Sequence, residues 1–255
     1  MSAAYESESD PEPSAPGEGA NPTGGDSLSL PGPPADPARR TAKGESERSE
    51  LPKRAQSAAR RVAESKATIP HIYLGRTAVL GAGADTDTGA AAIVAALGQA
   101  LAGHPGLNGA YRDGAVEIHS RINVGITVET DEGTLVPTLL DADRKPVSEI
   151  ATEIEELRSG TLAGTLPSPA YSGATFTLTV LPEGADSVLA PVTPGQAAHL
   201  AVGRVRQAVV VGADDAPEVA DVVDLGLSCD ARAVRPPVAA EFLDSLAALI
   251  GDPAG

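Results

Sequence analysis

The sequence predicts an α/β (α+β) two-layer sandwich, a mixed sheet covered by helices. Three observations carry this reading. Apolar residues alternate at a period of two in Val116–Ile118, Ile122–Val128, Phe176–Val180 and Val223–Cys229, the spacing of strands with one buried face. Apolar stripes at helical spacing, such as Ile93, Leu97 and Leu101 or Val238, Phe242, Leu246 and Leu249, mark amphipathic helices. The two kinds of segment are interleaved along the chain, with no internal repeat of about 20–50 residues.

Taken in order, Lys53–Lys66 is a short basic helix, stopped at Ile69-Pro70 because the residue before a proline is pushed to extended geometry. His71–Val79 is a strand. Asp87 or Thr88 caps a helix carrying Ile93, Val94, Leu97 and Leu101, which ends before Gly103 and Pro105. Val116 and Ile118, then Ile122, Val124, Ile126 and Val128, predict a long strand or hairpin, with Thr134–Leu140 as partner across a turn at Asp131–Gly133. Pro146 suits the first residue of a helix whose stripe is Val147, Ile150, Ile154 and Leu157. In the next strand Phe176, Leu178 and Val180 face one way, so Thr179 points the other. Strands near Ala208–Val211 and Val222–Cys229 and a helix from Pro237 close the chain.

Composition sets the boundaries. The 255 residues carry a formal charge of −16, one cysteine and four histidines. Residues 1 to about 50 are rich in Pro, Gly, Ser and Glu and nearly free of large apolar side chains, so burial there does not offset the entropy of ordering. A disordered arm is therefore expected over 1–50 and one folded domain over 51–255. The acidic surplus argues against nucleic acid or an anionic membrane as partner, since both are held by Lys and Arg against phosphate. The basic residues Lys53, Arg54, Arg60, Arg61 and Lys66 read as the solvated face of a helix, or as a docking patch for an acidic partner or for phosphates.

The lone Cys229 excludes an internal disulfide framework and fits a reducing compartment. The start MSAAYESESD lacks a basic segment followed by an apolar run, and no stretch approaches the ~18 apolar residues of a spanning helix, so a soluble cytoplasmic protein is expected. With no CxxC or HxxxH spacing, no metal site is expected.

The richest segment is LGLSCDARAVRPP, Leu225–Pro237, a strand running into a helix. It resembles the junction that, in the dihydrolipoamide acyltransferase family of the 2-oxo acid dehydrogenase complexes, carries Asp-His-Arg followed closely by Asp-Gly. Here the matching residues are Asp230, Ala231 and Arg232, then Arg235 and Pro236. Alanine stands in the place of the histidine, arginine in that of the acid and proline in that of the glycine. AARRVAESKATIPHIYL, HPGLNGAY, INVGITVETDEGTLVPTLLDADRK, TFTLTV and PGQAAHLAVGRVR also resemble the family, in the family's order, from roughly Leu51 to Pro253. Two further departures stand out. A helix and loop of the family are replaced by the short GAGADTDTG at Gly81–Gly89, and the family's SNLG reads Thr179, Val180, Leu181 and Pro182.

The resemblance implies the coenzyme A-dependent acyltransferase fold, in which trimers place the active site between neighbouring subunits. It also implies coenzyme A as cofactor and a homotrimer or subunits of a 2-oxo acid dehydrogenase complex as partners. No lipoyl-lysine turn is visible, so no lipoyl group of its own is expected. In the family the histidine takes the proton from a coenzyme A or dihydrolipoyl thiol. A thiol of pKa ~8.5 is a poor nucleophile near neutrality without that help, which is worth about 10²–10⁴ in rate.

Thr179 keeps a hydroxyl where the family stabilises the oxyanion, a contribution of about 10²–10³. Substitute bases are few: Cys229 reads as a core residue or the nearest reactive group, and His199 as a strand side chain or a relocated base. His71 and His119 read as structural and His104 as exposed at a helix end. Asp230 is expected to pair with Arg232 or Arg235, the alternative being that the arginines capture a phosphate or carboxylate. The expected function is that of an acyltransferase-like domain impaired at Ala231, with a structural, regulatory or acyl-CoA-binding role. The alternative is an active enzyme moving acyl groups between dihydrolipoyl and coenzyme A thiols.

Overall fold

A computed structural model describes residues 48–80, 86–181, 184–212 and 215–251. The expected disordered arm, apart from its last three residues, lies outside the described residues, as do 81–85 of the shortened stretch. In chain order the elements are α1 (Lys53–Thr68), β1 (His71–Val79), α2 (Thr86–Gly103), β2 (Gly109–Arg112), β3 (Ala115–Ile118), β4 (Val124–Ile126), β5 (Val128–Thr130), β6 (Gly133–Leu135), β7 (Thr138–Leu139), α3 (Val147–Leu162), β8 (Phe176–Val180), β9 (Ala198–Val202), β10 (Arg206–Val211), β11 (Pro217–Asp230) and α4 (Pro236–Gly251).

Seven strands form one mixed sheet in the order β1-β11-β9-β8-β4-β7, with β10 also on β11. β8 runs parallel to β4 and β9, and the other pairs are antiparallel. This is the two-layer architecture expected from the interleaved patterns. Ile93, Val94, Leu97 and Leu101 of α2, Ile150 of α3, and Phe242 and Leu246 of α4 meet Phe176, Leu178, Leu200, Leu225 and Leu227 in one buried core. The chain extends α2 one residue before its expected cap, to Thr86.

Three details differ from the sequence reading. Val116 and Ile118 pair backwards with β2 rather than forwards, because Asp113 and Gly114, at φ 47° and 87°, make a two-residue turn of the kind that matches strand twist. The predicted partner Thr134–Leu140 is split: β6 pairs β5 and β7 pairs β4, with Pro137, which has no N–H, at the break. Val147 at the start of α3 and Ile118 in β3 are exposed rather than buried.

The face of the sheet away from the helices is covered by the connection between β8 and β9. Ser65, the one buried residue of α1, donates to the Val192 carbonyl at 2.6 Å, and the Val192 N–H donates to His71 Nε2 at 3.0 Å. Gly226 lets this connection approach, since a Cβ there would lie 2.1 Å from the Val188 carbonyl oxygen. The connection shelters a row of buried polar residues, Thr177, His199, Ser228 and Asp230, directly beneath it.

Candidate active site

The chemistry-bearing residues fall at two ends of the sheet. At the first end, β11 finishes at Asp230 and the chain turns through Ala231 into α4. The Asp230 N–H donates to the Ala197 carbonyl and the Ala231 N–H to the Pro70 carbonyl, both at 2.8 Å, which fixes the turn between β9 and β1. Asp230 is 2% exposed and accepts from Arg232 three ways, from the backbone N–H at 3.0 Å, Nε at 2.9 Å and Nη2 at 2.6 Å. The carboxylate raises the guanidinium above its ordinary value through this bond.

Arg232 also lies over the ring of Tyr111, 4.4 Å from its centre. Arg232 is therefore the partner of Asp230, and Arg235 is not; Arg235 is exposed and makes no ion pair among the described residues. Beside the turn an open cleft of about 360 Å³ is lined by Glu64, Tyr111, Arg112, Gln196, Asp230 and Arg232. Ala231 itself is exposed and presents only a methyl group.

At the second end, Thr179 is the last residue but one of β8. The period of two holds: Phe176 and Leu178 are buried against the helices and Thr177 and Thr179 lie on the opposite face. Thr179, half-buried, is 2.9 Å from His199 Nε2 and accepts from the Thr127 hydroxyl at 3.1 Å. His199 Nδ1 lies 2.9 Å from the Pro191 carbonyl, an acceptor only, so Nδ1 carries the proton and Nε2 is bare. The Thr179 hydroxyl then donates to Nε2. Burial lowers the imidazole pKa to about 4, against a smaller opposing effect of the Pro191 bond, so His199 is neutral.

One chain does not join the two ends. Thr179 is level with Ala201 in β9 and hence with Gly226 in β11, and Ala231 lies five residues further along β11. Strand geometry makes this about 17 Å along the strands and about 10 Å across them.

The remaining residues have structural places. Cys229 is fully buried in the core, with its thiol pushed up to about 12 by burial and by the charge of Asp230, so the reactive reading is discarded for the core one. His71 is held by Ile69 and Val192 and stacks on Tyr73. His104, read as exposed, is half-buried, bonded to the Ala100 carbonyl and edge-on to Phe242. Pro182, the last residue matching SNLG, lies outside the described residues. Among the described residues no group of three metal-ligating side chains exists, and no helix is long and apolar enough to cross a membrane.

Comparison with known proteins decides the family. The model of the 2-oxoacid dehydrogenases acyltransferase catalytic domain matches residues 43–255. The chain belongs to this family. It is 32% identical over 213 residues to dihydrolipoyllysine-residue acetyltransferase component 2 of the mitochondrial pyruvate dehydrogenase complex of Arabidopsis thaliana, covering 76% of this chain and 40% of that protein. It is 28% identical to the mitochondrial pyruvate dehydrogenase protein X component of Mus musculus, covering 76% of this chain and 42% of the relative. The chain thus spans about two fifths of the length of these curated relatives. Among solved structures, a probable dihydrolipoamide acetyltransferase of Listeria monocytogenes superposes with a TM-score of 0.75 at 26% identity, covering 82% of this chain and 97% of the other. The cubic core of the pyruvate dehydrogenase multienzyme complex superposes with a TM-score of 0.78 at 24% identity, over 87% of this chain and 98% of the other.

Within this acyltransferase-family chain, the contact that the sequence did not suggest is Thr179 to His199. Each residue alone was visible, but β8 and β9 are parallel and separated by the long connection over the sheet. Their register is set by packing, not by any local signal. Thr127 went unnoticed for the same reason.

Proposed function

We propose that this chain is an acyltransferase-family subunit in which the direct passage of acyl groups between dihydrolipoyl and coenzyme A thiols is lost. Its role is then structural or regulatory in the core of a 2-oxo acid dehydrogenase complex, as a homotrimer or beside active subunits, with coenzyme A or acyl-CoA as the ligand between copies. The observation that carries this reading is the methyl group of Ala231 at the place of the thiol's base. It is flanked by an Asp230–Arg232 pair closed on itself.

The ionisable groups that the cleft beside Ala231 offers are Glu64, Asp113, Asp230, Tyr111 and two arginines, none of which is a neutral imidazole. Relatives that are components of pyruvate dehydrogenase complexes, the protein X component among them, support the choice of assembly.

A second reading, an active transferase, is favoured by the hydroxyl retained at the half-buried Thr179. The test is formation of acetyl-dihydrolipoamide from acetyl-CoA and dihydrolipoamide by the purified full chain, with its mass in solution recorded. The expected result is a folded oligomer with no product above the protein-free reaction. Product that forms with the parent and vanishes in Thr179→Ala overturns the proposal.

A further inference from the structure

We propose that Thr179 and His199 form a nucleophile–base pair, complete within one chain, that opens acyl thioesters through an acyl-threonine intermediate and hydrolyses them. The role differs from oxyanion donation, and it is independent of Ala231. The geometry has the three parts that activate a hydroxyl: a nucleophile within hydrogen-bond reach of an imidazole nitrogen, a bare nitrogen facing it, and a third group fixing the ring. Here these are Thr179 Oγ1 at 2.9 Å, His199 Nε2, and the Pro191 carbonyl 2.9 Å from Nδ1.

The direction of the bonds decides the role. The single hydroxyl proton of Thr179 is given to Nε2, and the Thr127 hydroxyl, 3.1 Å away, occupies one lone pair of Oγ1. In the resting state Thr179 therefore has no proton to offer a developing oxyanion, and one lone pair of Oγ1 has no hydrogen-bond partner among the described residues. Thr127 is a positioning residue for that hydroxyl. The imidazole itself is 6% exposed, so solvent competes little for Nε2.

In the first step Thr179 Oγ1 bonds to the thioester carbonyl carbon and the carbon–sulfur bond breaks. The hydroxyl proton passes to His199 Nε2 and from there to the departing sulfur, releasing a free thiol. In the second step water attacks the threonine ester, its proton passes to Nε2 and on to Oγ1, and a carboxylic acid leaves. Atoms and charge balance with no other reactant. Because burial lowers the imidazole pKa to about 4, the base is weak, so turnover is slow and its pH profile falls only below about 4.

The test uses the full chain with acetyl-CoA and no dihydrolipoamide, so it reads neither acceptor chemistry nor assembly into a complex. Free coenzyme A is followed with a thiol reagent and acetylation of the protein by intact and peptide mass. The expected result is slow thiol release with an acetyl group on Thr179. Thr179→Ser should retain both signals, Thr179→Val should abolish them, and His199→Gln should slow them by about 10² or more.

An unchanged thermal midpoint in His199→Gln separates loss of the base from loss of the fold. Release that is equal in the parent and Thr179→Val overturns the inference. So does an acetyl group found only on lysines, or a rate that a folded His199→Gln leaves unchanged.

Discussion

His199 stores stability in its neutral state. The unfolded imidazole titrates near 6.5 and the folded one near 4, so between these values the unfolded chain holds a proton that the folded chain lacks. Stability from this residue is complete above about pH 6.5 and is lost as pH falls to about 4. The shift corresponds to about 3 kcal/mol. Among the described residues the groups beside the ring are the Thr179 hydroxyl, the Pro191 carbonyl and the paired Thr177 and Ser228, none of them charged. Urea midpoints measured from pH 7 to 4 should decline in the parent and decline less in His199→Gln.

At the other end of the sheet Asp230 is a buried charge. Arg232→Ala leaves a 2%-exposed carboxylate without its counter-ion, so a lower urea midpoint than the parent's is expected, tempered by the solvent around the partly exposed guanidinium. Equilibrium unfolding at pH 7 measures it. Arg235→Ala, at an unpaired exposed site, should change stability by no more than about 0.5 kcal/mol.

Among the elements, the connection from β8 to β9 organises both ends. It supplies Pro191 to His199, Val192 to Ser65 and His71, and Gln196 to Thr177 at 2.7 Å. Its seat depends on Gly226, where any side chain would collide with the Val188 backbone. Gly226→Ala is therefore expected to cost about 2–3 kcal/mol and to loosen amide protection across Val188–Val192, as hydrogen exchange would show.

Much of this was legible in advance. The alternation of Phe176, Leu178 and Val180 with Thr177 and Thr179 named the face on which the hydroxyl stands, and Cys229 was assigned to the core by the same rule. The split of Thr134–Leu140 at Pro137 and the backward pairing of Val116 were not legible, because turn geometry overrode strand periodicity. The pairing of Thr179 with His199 was hidden for a different reason: it depends on a parallel register across the seventeen residues between β8 and β9, which no local pattern encodes.

For the whole molecule, Thr179 and Ala231 lie too far apart in one chain to form one site, so under the proposed function a family-type site takes its two halves from different copies. The family resemblance places the active site between subunits, and the two ends of one sheet are the two surfaces such an arrangement would bring together. Loss of the base at one of them leaves the fold intact, since Ala231 is exposed and its neighbours are held by backbone bonds and the Asp230–Arg232 pair. Architecture and thiol activation are therefore separable, and the proposed function rests on the first being kept without the second.

The most direct measurement of that separation compares acetyl transfer from acetyl-CoA to dihydrolipoamide by the parent and by an Ala231→His, Arg235→Asp double variant of equal mass in solution. The parent is expected at background and the variant to gain about 10² or more, the share of rate that a positioned base supplies. Measurable transfer by the parent at a rate indifferent to whether position 231 holds alanine or histidine would contradict it.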